Sequence, residues 1–220
     1  MITVLVVSIC IGVAIFQHKN SSEEYEIYYL KYKDGIATNK QITYPQIKGL
    51  KNEEIERAAN ALIYEAATSS DVFENGDYQQ DITCEVKRKD EDVLSILFSE
   101  FTINDPTGYV YYESYAVTID MHTGEKMQLA DFISMEELRE SFLDGCFTDT
   151  NGMGNDLALE EAWNIFCYEV YVPLNMMETC EYEEIKEHYS DFYVSDNGIG
   201  IILQIVKNYV IYEMPFELTP

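Results

Sequence analysis

Apolar residues recur along this chain with two periods, and each period predicts a different element. Ile55, Ala58, Ala59, Leu62, Ile63 and Ala66 fall on one stripe of 3.6-residue spacing, which predicts a helix over residues 53–68. Asn52 stands where an N-cap belongs, and Glu53 and Glu54 suit the positive end of the helix dipole. Before it, residues 25–33 and 41–47 are rich in strand formers, with Asp34-Gly35 as a turn between them. Pro45 places the second of these at a sheet edge or a strand end.

A period of two dominates residues 81–121. Residues 81–89 alternate Ile82, Cys84 and Val86 with polar neighbours, so one face is wet. Residues 92–103 are apolar on both faces for much of their length, the pattern of a central strand covered on both sides. Residues 109–121 alternate again, and His122, Thr123 and Gly124 turn the chain into a short strand over 125–129. These segments are expected to form an antiparallel meander.

Ser134 and Glu137 make a capping box, with Ile133 and Leu138 as its hydrophobic staple, for a helix reaching about Cys146. A loop is expected over 147–155, and then a helix over 157–171 capped by Asp156, burying Leu159, Ala162, Trp163, Phe166 and Val170. A last short helix is expected over 181–189. Asn197-Gly198 is a strong hairpin signal between strands at 191–195 and 199–206, and a final strand comes at 209–218. The elements add up to an α+β fold: an antiparallel sheet of about seven strands with three or four helices on one face. Two halves, 25–130 and 131–220, are expected to pack as one unit.

Residues 1–19 stand apart. Residues 2–16 carry no charge, a run short of the about 20 residues of a full span and within reach of a signal-peptide core. A buried strand is the rival reading. An uncleaved membrane anchor is the first expectation and a cleaved signal the second, and in either case the remainder is exported. Residues 20–24 then serve as a short polar linker.

Charge narrows the partners. Forty acidic residues against fourteen basic ones give a formal charge of −26 and a pI near 4.2. Such a surface repels nucleic-acid phosphates and anionic lipid headgroups, so no nucleic-acid partner is expected, and membrane contact is expected through residues 1–19 alone. It draws in cationic partners, although acidity also serves solubility by itself.

Little in the chain reads as chemistry. Phosphate-loop, dinucleotide and nucleophile-elbow patterns are absent, and so is an EF-hand loop. The glycines near Asn151 to Asn155 read as a flexible connector, and those near Gly198 and Gly200 as a hairpin turn. The histidines are His18, His122 and His188. Glu184 and His188 share a helix face and could pinch a metal ion, but two further ligands are not visible, so no metal, cofactor or catalytic residue is assigned. Cys10 lies in the apolar segment. Cys84, Cys146, Cys167 and Cys180 form no CxxC pair and are read as free buried thiols rather than bridges. Among eighteen tyrosines, Tyr109, Tyr111, Tyr112 and Tyr115 would suit a protein-binding face if exposed.

Three stretches resemble a known pair of exported bacterial domains of unknown function. Tyr44-Pro45 and Gly49-Leu50, leading into the helix after Asn52, resemble the opening of the first domain. Tyr115 to Asp120, then Thr123-Gly124-Glu125 and Leu129 to Phe132, are similar to its later signature, and Phe192 to Gly198 resembles the hairpin of the companion domain. The pair is similar to the extracellular part of RsiV-type anti-sigma factors, which sense lysozyme by binding it, and to the non-catalytic N-terminal region of PdaC-type peptidoglycan deacetylases. The resemblance implies a binding or sensing domain for lysozyme or another basic protein, or for a cell-wall ligand such as peptidoglycan. A cell-envelope enzyme or accessory domain acting on peptidoglycan is the alternative. No ligand-binding residue is carried over from the resemblance.

Overall fold

The computed structural model describes residues 25–33, 40–68, 78–104, 107–154, 157–168, 191–205 and 208–216. The apolar run at 2–16, the expected helix at 181–189 and Asp156 as a cap lie outside them. Among the described residues, no helix is long and apolar enough to cross a membrane.

The first sheet holds β1 (Glu26–Lys33), β2 (Lys40–Lys48), β3 (Tyr78–Lys89), β4 (Val93–Asn104) and β5 (Tyr109–Asp120), in that spatial order. The meander β3-β4-β5 is antiparallel as its alternation predicts. β2 and β3 run parallel, because α1 (Glu53–Thr68) forms the crossover between them. Their pairing covers only residues 40–42 against 80–82. Farther along β2, the Asn60 side chain of α1 takes the place of a strand: its Oδ1 accepts from the Ile47 N–H at 2.8 Å, and its Nδ2 donates to the Ile47 carbonyl at 2.9 Å. Asn52 caps α1 by accepting from the Glu54 N–H at 3.0 Å, and Ala59, Ile63 and Ala67 form its buried stripe.

The second sheet holds β6 (Thr148–Asp149), β7 (Asp191–Ser195), β8 (Gly198–Ile205) and β9 (Asn208–Pro215), ordered β6-β9-β8-β7. The fold is therefore α+β with three α-helices and nine strands among the described residues, split over two sheets. This corrects the expected single antiparallel sheet of about seven.

Local corrections have local causes. The Ser134–Glu137 capping box starts α2 (Met135–Leu143), but the helix stops short of Cys146 because Gly145 takes a left-handed φ of 76°. The expected strand at 125–129 shrinks to one bridge, Ile119 to Lys126, before a 3-10 turn at Leu129–Asp131. α3 (Leu159–Tyr168) begins two residues later than its pattern suggests. Part of the expected loop at 147–155 is the short strand β6, paired to β9. That loop is pinned: Asp149 accepts from the Gly152 and Gly154 N–H groups, and Asn151 bonds the Tyr209 carbonyl and the Ile211 N–H.

The hairpin β7–β8 exists, but its two loop residues are Asp196 and Asn197, and Gly198 opens β8. Glycine is required there and at Gly200 by close approach. A Cβ at Gly198 would collide with the Met214 carbonyl, and one at Gly200 with the Tyr193 ring. That ring crosses Gly200 so that its hydroxyl can donate to Glu213 on β9.

Three apolar clusters separate four layers. α1 packs on one face of the first sheet around Ile42, Ile63, Ile96, Phe98 and Val117. α2 and α3 pack on the outer face of the second around Leu138, Phe142, Trp163 and Phe166. Between the sheets lie Leu97, Ala116, Tyr193, Ile202 and Ile211. The helices thus cover opposite outer faces, not one face as expected. Each fully buried large side chain contributes about 1.5–3 kcal/mol through area removed from water.

Candidate functional site

β4 shows where the architecture departs from an ordinary amphipathic pattern. From Val93 to Phe98 every side chain is buried. Leu94, Ile96 and Phe98 point toward α1, and Leu97 points toward the second sheet. Ser95 also belongs to the inter-sheet side, where its Oγ accepts from the Val194 N–H at 3.0 Å and shares a hydrogen bond with Thr118 Oγ1 at 2.8 Å. The covered-strand expectation for this segment stands.

Beyond Phe98 the two faces exchange character. Phe101 and Ile103 of β4, with Val110 and Tyr112 of β5, continue the inter-sheet face and are half-buried or exposed. Phe101 and Tyr112 are register partners whose rings lie 5.3 Å apart. Tyr112 remains 44% exposed, and Asp81 of β3 completes their row. On the opposite face, which carries the α1 core, three polar residues are buried beside Ile82, while Tyr109 at the hairpin end is exposed. Gln80, Glu100 and Thr102 are each at most 3% exposed. An ordinary half-covered sheet places its apolar residues inside and its polar ones outside; here the order is reversed.

The buried polar group is built around the Glu100 carboxylate. Its Oε1 accepts from Gln80 Nε2 at 2.5 Å and from Thr102 Oγ1 at 2.8 Å, while its Oε2 has no partner. Glu113 stands directly opposite on β5. Burial, and secondarily the Glu100 charge, hold the Glu113 carboxyl above the usual carboxylate range. The Tyr115 hydroxyl is buried without a partner, and burial with the neighbouring carboxylates pushes its ionisation far upward.

The tyrosines expected to form one exposed group are therefore divided. Alternation puts Tyr109, Tyr111 and Tyr115 on one face and Tyr112 on the other. Tyr109 is 53% exposed, Tyr111 is half-buried, and Tyr115 stacks on Phe98 with ring centroids 5.3 Å apart. The second sheet adds polar groups beside Tyr112. Gln204 Nε2 donates to the Tyr112 carbonyl at 3.1 Å and to the Asn208 carbonyl at 3.0 Å. Asn208 Nδ2 donates to the Met153 sulfur, and Met153 is 52% exposed. Sequence reasoning did not single out Phe101, Met153, Gln204 or Asn208. For Phe101, the switch from apolar to polar at 100, 102 and 104 was a visible signal.

A second exposed aromatic area lies on β1, where Tyr28, Tyr29 and Leu30 are 37%, 55% and 39% exposed. Its surroundings are mixed in charge. Glu26 and Lys31 lie on the same strand, and Lys48 Nζ, 6.0 Å from the Tyr28 ring centroid, pairs with Glu26 at 2.9 Å.

Other candidate groups disperse. His122 is exposed, its Nε2 bonded to Asp92 at 2.7 Å, and that bond raises its pKa. His18, His188 and Glu184 lie outside the described residues, as does Cys180. Cys84 is a free, half-buried thiol pushed up to about 11 by burial. Cys146 is free but exposed, which corrects the expectation of burial. Among the described residues, no three His, Cys, Asp or Glu side chains are grouped to hold a metal ion. A shallow depression lined by Lys51, Asn52, Glu53, Glu54 and Arg57 lies at the start of α1.

No protein-family model matches the chain, and no curated protein is significantly similar to it. Two solved structures are similar in outline. One is a DUF3298 family member from Bacteroides fragilis NCTC 9343, with 12% identity and a TM-score of 0.47, the match covering 87% of this chain and 90% of that one. The other is a DUF3298 family protein from Pseudomonas aeruginosa PAO1, with 7% identity and a TM-score of 0.45, the match covering 87% and 90%. Nothing about ligand or activity is transferred from either.

Proposed function

We propose that this chain is an extracellular binding or sensing domain, tethered to a membrane by its N-terminal segment and not an enzyme, whose ligand is a cationic protein. Lysozyme is the partner the sequence resemblance implies. The observation that carries the reading is the formal charge of −26 on a folded chain that also exposes aromatic side chains. A net negative field speeds encounter with a basic protein, and aromatic anchors slow its departure.

Titration of lysozyme against the full chain in neutral detergent tests this, at low salt and at 1 M salt, where the Debye length falls to about 3 Å. Specific recognition keeps a measurable affinity at high salt, with the loss falling mainly on the association rate. No binding at low salt rejects the reading. Binding that disappears at high salt reduces it to charge attraction. Peptidoglycan hydrolysis by the purified chain, abolished by substitution of one carboxylate, would favour the cell-envelope enzyme instead.

A further inference from the structure

We propose that the basic partner docks on the half-covered face of the β4–β5 hairpin, around Phe101 and Tyr112, with Met153 and the Gln204–Asn208 pair at its rim. This rests on the reading of the chain as a binding domain for a cationic protein.

Three observations choose this face. The first is the exchange of character along β4. A sheet that buries Gln80, Glu100 and Thr102 on one face while leaving Phe101 and Tyr112 half-covered on the other presents an aromatic pair where solvent reaches. A half-exposed aromatic pair bordered by amide side chains has the make-up of a protein-binding surface: an aromatic centre and a polar rim.

The second is charge. Residues 79–83, 99–103 and 110–114, which form this end of the meander, carry no Lys or Arg; Asp81 lies on this face, and Glu100 and Glu113 lie behind it on the α1 side. The aromatic area on β1 is mixed in charge: Lys48 Nζ, 6.0 Å from the Tyr28 ring centroid, pairs with the Glu26 carboxylate at 2.9 Å, and Lys31 lies on the same strand. Here a basic partner meets acidic groups with no Lys or Arg in these strand segments; there it meets standing cations.

The third is the chemistry that the chain already uses. Lys87 Nζ lies 4.7 Å from the Tyr193 ring centroid and Lys89 Nζ 4.9 Å from that of Tyr25. Tyrosine faces in this protein accept cations, and the exposed Tyr112 ring offers such a face to a Lys or Arg of the partner.

The test compares substitutions of exposed and half-buried side chains in the full chain, with lysozyme as the titrant and thermal unfolding as the control for folding. Tyr112→Ser and Phe101→Ser each weaken binding about ten-fold or more. Tyr112→Arg weakens it further and slows association, because it adds a like charge. Tyr29→Ser changes affinity by less than about two-fold. If the unaltered chain binds and the Phe101 and Tyr112 variants bind equally well, or if Tyr29→Ser causes the larger loss, the face is wrong while the functional reading survives. If the unaltered chain does not bind, both fall.

Discussion

The two halves of β4 share one backbone and one alternation, yet they meet different surroundings. In the first half, Val93 to Phe98, α1 covers one face and the second sheet covers the other, and every side chain is buried. In the second half the inter-sheet face loses its cover, and the α1-side face fills with Gln80, Glu100 and Thr102. Alternation therefore states which residues share a face, while the neighbouring layers decide which face is dry. β4 is core for half its length and surface for the rest while its register with β5 runs unbroken through both halves.

Phe98 and Phe101 break this comparison most directly, being the same residue three positions apart. Phe98 is fully buried and stacked on Tyr115, so Phe98→Ala should cost about 3–5 kcal/mol. Phe101→Ala should cost less than about 1 kcal/mol. Denaturant midpoints at unchanged m-value measure both, and equal losses would mean that the second half is as covered as the first. Gly200→Ala comes next, at about 1–3 kcal/mol or more, because the new methyl must displace the Tyr193 ring that lies between the sheets.

The buried polar face gives a pH-dependent contrast. Glu113 has a folded pKa above its ordinary value, so the folded state holds its proton more tightly than the unfolded state does. Stability from this group is present at low pH and falls as pH rises from about 4.3 through the folded value. In Glu113→Gln the thermal midpoint should decline less over that window than in the unaltered chain. A parallel decline would show that the group does not carry the effect. The smallest effects belong to the exposed rings. Tyr112→Ser and Tyr29→Ser should each shift stability by less than about 0.5 kcal/mol, measured by thermal unfolding.

Much of the architecture was legible in residue order. The stripe of α1, the Asn52 cap, the Ser134–Glu137 box and the β3-β4-β5 meander come from local spacing, and each depends on contacts within a few residues or one turn. The division into two sheets was not legible, because Leu97 and Ser95 show that they are covered without showing that a second sheet covers them. The parallel step from β2 to β3 depends on how α1 crosses, a long-range matter. Gly200 read as part of a turn because the demand on it comes from Tyr193, seven residues earlier and on the next strand. Of the candidate surface, the tyrosines were visible in sequence. They read there as one group; strand parity divides them over opposite faces, whereas their exposure needed the layers.

Hydrogen exchange of the full chain with and without saturating lysozyme tests the docking face in one measurement, because it reads both aromatic areas at once. Slowed amide exchange within residues 99–103 and 109–112, with residues 26–33 unchanged, is the expected result. Protection of residues 26–33, with no change across 99–112 at saturation, would contradict it.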